Sequence, residues 1–156
     1  MPTSSSSVTL DASFVIGLCA NEPEKGVKAQ TELNQRIADG SVLHAPHLLL
    51  MEAVFVLCGK LRAGTLTQPQ HSQANASLHA LASVIQFPDG GDITLLLRAD
   101  QMQQGYGCSH SADCFYIALA EQLAAAGSSE LLTFDAGQQK QAAAVSPNVK
   151  VTLLTA

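Results

Sequence analysis

Asp11, Glu52, Asp113 and Asp135 are spread over most of a 156-residue chain, yet each stands where an acid has a structural meaning. Asp11 ends the apolar run Val8-Thr-Leu, and Asp135 ends Glu130-Leu-Leu-Thr-Phe. Asp113 opens a mostly apolar stretch that runs to Gly127. Glu52 is the only formally charged side chain between Ser41 and Gly59, in a segment apolar on nearly every helical face. A buried carboxylate with no partner is strongly unfavourable, so such a group is exposed, protonated or matched to a cation. If the four converge, each like-charge pair costs roughly 4 kcal/mol at about 4 Å and an effective dielectric of about 20. No Lys or Arg lies within four residues of any of them. A divalent metal is then the natural counter-charge, and an all-oxygen carboxylate set suits Mg²⁺ or Mn²⁺. Such an ion makes hydroxide from bound water and stabilises a phosphodiester during in-line displacement. Taken singly, each acid also has a plainer role. Asp11 and Asp135 can cap helices, Asp113 can complement a helix dipole, and Glu52 can face solvent.

The elements that must place these acids follow from the pattern. Val8–Asp11 reads as a short buried strand, followed by a helix from Ala12 to Cys19. Glu24 to Ala38 is a more polar helix, with Val27, Leu33 and Ile37 as its inward positions and Gly40 as its stop. Ser41–Pro46 is a second strand, and Pro46 suits the first turn of the helix from His47 to about Arg62, which Gly64 ends. Pro69 to Val84 is helical, Ile85–Phe87 is a brief third strand, and Pro88-Asp-Gly-Gly91 is a turn. Asp92 is placed to cap a helix running through Leu95, Leu96, Ala99 and Met102 to Gly105. Ser109 or Ser111 caps the helix that opens with Asp113, and Gly127 closes it. A strand over 130–135, a helix over Ala136–Val145 and a strand over Val149–Leu154 complete the chain. Strands alternating with helices imply an α/β fold with a largely parallel sheet covered on both faces. In such sheets, residues just past the strands' C-terminal ends gather in one crevice.

Composition narrows the classes. One domain over 8–156 is expected behind a mobile Ser-rich tail at 1–7. Hydrophobic residues make up 47% and charged residues 13%, so some apolar surface is expected to be covered by a partner or a second copy. The net charge is -5, and eight Lys and Arg spread along the chain form no basic stripe, which argues against tight autonomous nucleic-acid binding but not against brief phosphate contact. The four cysteines contain no Cys-x-x-Cys pair, no secretory signal precedes Val8, and no apolar run approaches a membrane span of about 18 residues. A reduced cytoplasmic setting is expected. Cys19 and Cys58 read as core residues. Cys108, His110 and Cys114 cluster locally, but their spacing fits no zinc pattern.

At its acids the chain resembles the PIN-domain family, in particular its VapC-type toxin branch. The resemblance rests on Val8-Thr-Leu-Asp-Ala-Ser13, Ala45-Pro-His-Leu-Leu-Leu-Met-Glu52, Asp113-Cys-Phe-Tyr-Ile-Ala-Leu-Ala-Glu121 and Leu131-Leu-Thr-Phe-Asp135, in that order. It implies a three-layer α/β/α fold with a short, mostly parallel sheet and a Mg²⁺- or Mn²⁺-dependent endoribonuclease. Asp11, Glu52, Asp113 and Asp135 map onto the family's acidic positions, and Ser13 and Thr133 onto hydroxyls that support the site. It further implies a homodimer and a small antitoxin partner. Lys60, Arg62 and Arg98 are the basic residues available to an RNA phosphate. Two other readings remain open: a PIN-like binding or regulatory module without turnover, and a different α/β phosphohydrolase. The acyl-phosphate route of one phosphatase class needs a second Asp two residues after the first, where this chain has Ser13.

Overall fold

The computed structural model describes residues 5–109 and 112–155. Four parallel strands, β1 (Ser7–Leu10), β2 (Val42–His44), β3 (Ser129–Thr133) and β4 (Lys150–Leu153), form one sheet in the order β2-β1-β3-β4. The central strands β1 and β3 are buried over nearly their whole length, as their unbroken apolar runs require when helices cover both faces.

Among the described residues, seven α-helices surround the sheet: α1 (Ala12–Cys19), α2 (Lys25–Ala38), α3 (Leu48–Arg62), α4 (Gln68–Ala82), α5 (Leu96–Gly105), α6 (Asp113–Ala126) and α7 (Ala136–Val145). α1 packs against α2, α3 and α4, while α6 packs on β1 and β3 beside α5 and α7. The core runs from Val8, Leu10, Phe14 and Val15 through Leu49, Ala53 and Leu57 to Ile117, Leu131 and Leu132. This is the expected three-layer α/β arrangement. No helix among the described residues is long and apolar enough to cross a membrane.

Several local expectations change. Ile85–Phe87 forms no strand: Gln86 makes a single parallel bridge to His44, and the Pro88–Gly91 turn follows too soon for a ladder. On α2 the inward stripe is Gly26, Ala29 and Leu33, and Val27 and Ile37 are 71% and 53% exposed. Gly26 sets that phase, because a Cβ there would meet Asn21 Oδ1 at 2.7 Å. Cys58 is exposed rather than in the core, whereas Cys19 is buried. α6 starts at Asp113 behind Ala112, which offers no side-chain cap; Ser109 does not cap it, and Ser111 lies outside the described residues. Gly127 closes that helix in an extended conformation.

Asp92 caps a helix other than its own. It opens a short 3₁₀ turn, and its carboxylate accepts from the backbone N–H groups of His47 (2.7 Å) and Leu48 (2.8 Å), the orphan donors at the start of α3. Residues 1–4 of the Ser-rich tail lie outside the described residues, while Ser6 and Ser7 are tied in. Ser6 Oγ meets Ser41 Oγ at 2.8 Å, its carbonyl accepts from Val42, and Ser7 begins β1.

Candidate active site

β1 ends at Leu10, and the next residue is both the last step of the strand and the N-cap of α1. Asp11 keeps extended backbone angles and accepts from Phe14 N–H at 2.9 Å through Oδ1. The Ser13 hydroxyl donates to the same carboxylate at 2.8 Å, and the Thr133 hydroxyl, at the end of β3, donates to Oδ2 at 2.5 Å. Because β1 and β3 are paired in parallel with Leu10 beside Leu132, the ends of both strands meet at this point. Ser13 Oγ also accepts from Phe134 N–H at 3.0 Å, which clamps the chain just past β3 onto α1.

Asp11 is only 2% exposed. Burial pushes its pKa from the ordinary 3.8 up to about 7; the hydrogen bonds from Thr133, Phe14 and Ser13 oppose the shift, and the charge of Asp113 adds to it. Among the described residues, no Lys or Arg forms an ion pair with Asp11 or Glu52.

Asp113 stands in the first turn of α6, where the helix dipole favours an anion. It faces Asp11 across Gln138; assigned with its amide nitrogen toward the two carboxylates, Gln138 donates to Asp11 Oδ2 at 3.1 Å and to Asp113 Oδ1 at 3.0 Å. The opposite amide orientation would set its oxygen against two carboxylate oxygens and gain only a 3.5 Å contact to the Asp113 carbonyl. Glu52 reaches the same region from the middle of α3. Tyr116, one helical turn beyond Asp113, donates its hydroxyl to Glu52 Oε1 at 2.8 Å. Burial raises the Glu52 pKa, the Tyr116 hydrogen bond lowers it, and Asp113 raises it again, for a net upward shift. Tyr116 is itself 1% exposed, and burial followed by the Glu52 charge drives its phenol far above the ordinary range.

Asp11, Asp113 and Glu52 are therefore electrostatic neighbours, with Ser13 and Thr133 holding the first of them. Asp135 is exposed, and its Oδ1 accepts from Gly137 N–H at 2.7 Å as the cap of α7. Its link to the others runs through its backbone N–H, which donates to Thr133 Oγ1 at 2.8 Å. The three basic residues do not join the acids. Lys60 lies two turns beyond Glu52, about 12 Å at roughly 1.5 Å per residue, and pairs with Glu22 at 3.2 Å. Arg98 grips Glu121 through two hydrogen bonds of 2.7 and 2.9 Å, and Arg62 is exposed in the last turn of α3. Of the cysteine–histidine cluster, Cys108 is exposed, Cys114 is buried and His110 lies outside the described residues.

A hard dication fits this donor set in its chemistry: the side chains that meet are carboxylates and hydroxyls, and one carboxylate is buried without a cation. Among the described residues, no three His, Cys, Asp or Glu side chains group closely enough to hold an ion, and Gln138 lies between Asp11 and Asp113. Gln138 and Tyr116 are not among the residues the sequence pattern singles out. For Tyr116 the signal was available, since it shares a helix face with Asp113. A glutamine in an Ala- and Gln-rich helix carries no such mark.

A short parallel sheet flanked by helices, with acids at the carboxyl ends of its strands, defines an α/β domain with an acidic crevice at the sheet edge. The family model for the PIN domain matches residues 8–144, and the chain belongs to the PIN-domain family, a nuclease-type fold whose members are generally hydrolases acting on nucleic acid. A search of curated proteins finds no match.

Proposed function

We propose that this protein is a divalent-metal-dependent endoribonuclease, the toxin half of a toxin–antitoxin pair working in the cytoplasm. The observation that carries this reading is Asp11: a carboxylate 2% exposed, pinned by neutral donors only, beside Asp113 and Glu52. Asp11 and Asp113 hold Mg²⁺ or Mn²⁺, Glu52 completes or borders that shell, and Asp135 serves it from the rim. When bound, the ion supplies Lewis-acid activation of water and neutralises charge on the phosphodiester. Ser13 and Thr133 fix the direction of the Asp11 oxygens. Tyr116 occupies one oxygen of Glu52 and leaves the other to take a proton from the attacking water, a task its raised pKa favours. The exposed apolar run Met51, Val54 and Phe55 on α3, with Phe55 73% exposed beside Glu52, supports a face covered by a second copy or by the antitoxin.

The test is cleavage of a mixed-sequence RNA in Mn²⁺, with a chelator control and the Asp11→Asn variant. Parent activity should vanish with chelation and fall by at least about 10²–10³-fold in the variant. A short neighbouring reading frame with a DNA-binding fold would support the toxin pairing. A second reading, a PIN module without turnover, is favoured by one fact: Lys60 and Arg98 pair with Glu22 and Glu121 instead of facing the acids. A parent that binds Mn²⁺ and leaves RNA intact would decide for it.

A further inference from the structure

Two like-charged carboxylates side by side drift apart unless something between them favours their approach. We propose that Gln138 is a positioning residue whose side-chain amide bridges Asp11 and Asp113, fixing the two carboxylates in the mutual orientation a shared divalent cation requires. The inference rests on the dication reading of the site given above.

The geometry suits the task. A primary amide carries two N–H donors that point in different directions, so one group can serve two acceptors, here at 3.1 and 3.0 Å. Gln138 is 1% exposed, so water does not compete for these bonds. It is also neutral. A Lys or Arg at this place would itself supply the counter-charge and remove the reason for an ion; a Leu would leave both oxygens unbridged.

Its placement is built from the chain around it. Asp135 caps α7, and one turn later Gln138 points inward while Ala136, Gly137 and Gln139 are exposed. One turn further, Gln141, also 1% exposed, donates to Gln103 Oε1 at 3.4 Å, and Gln103 donates to the carbonyl of Ser109. The glutamines, Gln138 and Gln141 buried and Gln103 half-buried, thus tie α7 to α5 and to Ser109. Gln138 is the one of them that reaches the acids.

The test compares Mn²⁺ binding by titration calorimetry for the parent, Gln138→Met and Asp11→Asn. Met keeps the length and volume and removes both donors. Loss of such outer donors weakens metal affinity by about 10–100-fold, and that is the change expected for Gln138→Met with far-UV circular dichroism unaltered. Equal affinity in Gln138→Met and the parent overturns the role of Gln138 and leaves the dication reading standing. A parent that binds no Mn²⁺ overturns both. Should Gln138→Met fail to fold, the parent decides by NMR: the Gln138 side-chain amide resonances are expected to move on adding Mg²⁺ and on Asp113→Asn. Resonances that respond to neither overturn the proposal.

Discussion

Glu130, near the start of β3, and Asp11, just past the end of β1, are buried carboxylates at opposite edges of one sheet, at 8% and 2% exposure. Around Glu130 the chain supplies cations. Arg36 Nε donates to Oε1, Lys150 Nζ lies 3.6 Å from Oε2, and Thr152 donates to Oε2 at 2.8 Å. Burial works against the ionised form there, but the Arg36 and Thr152 hydrogen bonds and the charges of Arg36 and Lys150 outweigh it, so the pKa falls below its ordinary value. Around Asp11 there are hydroxyls, one backbone N–H and one amide, and burial wins. The same fold thus completes one acid and leaves the other short of positive charge. The contrast separates an edge whose buried acid is compensated by cations from an edge whose buried acid is not.

The largest effect should come from removing the deficit itself. Folded Asp11 keeps its proton up to about pH 7, whereas the unfolded chain releases it near 3.8. Folding therefore takes up a proton between these values, and the stability linked to it is fully present below about pH 4 and lost as pH rises to about 7. At about 1.4 kcal/mol per pKa unit the loss is on the order of 4 kcal/mol, an upper bound. In urea titrations without metal, Asp11→Asn should flatten this decline and exceed the parent in stability above pH 7, while losing activity. Added Mn²⁺ should raise the parent's melting temperature more at pH 8 than at pH 5. A parent whose metal-free stability is level from pH 4 to 7 would put Asp11 on the same footing as Glu130.

Arg36→Met breaks the opposite edge. It leaves Glu130 buried with only Lys150 and Thr152, and breaking such a pair costs 3–5 kcal/mol when it is fully buried. The Arg36 side chain is 17% exposed, so a loss of about 2–3 kcal/mol is expected, read from the urea midpoint at pH 7. RNA cleavage per folded molecule should not change. A drop in the specific rate would mean that the two edges are coupled through β3.

How much of this contrast could be read in the chain differs between the edges. Asp11, Glu52, Asp113 and Asp135 announce themselves because an acid in an apolar run is conspicuous, and the strand–helix alternation places Asp11 and Asp135, which follow strands, at one edge of the sheet. The partnership of Arg36 with Glu130 spans 94 residues, and no local pattern encodes it. In sequence Asp92 stands as the cap of its own helix, because a sequence shows an Asp before an apolar stretch but not the orphan N–H groups of α3 nearby. Hydrophobicity alone points Val27 and Ile37 inward, whereas the close approach of Gly26 to Asn21 fixes the phase of α2. The buried Gln138 is the extreme case: glutamine is ordinarily an exposed residue, and only tertiary placement makes it a bridge.

Tyr116→Phe sharpens the comparison with the smallest change, a single oxygen. The hydroxyl is buried and donates to Glu52 Oε1, so its loss removes one hydrogen bond to a charged acceptor. Glu52 is only half-buried and can recruit water in exchange, which limits the stability cost to about 1 kcal/mol. The Tyr116 bond opposes the upward shift of Glu52, so without it the Glu52 pKa should rise further. The acidic limb of the pH–rate profile should then move to higher pH, with the rate loss greatest on that limb and narrowing as pH rises. A uniform loss at all pH values would instead mean that the phenol acts by packing. An unchanged limb would remove Glu52 from the proton transfer and leave Asp11 and Asp113 to organise the site alone.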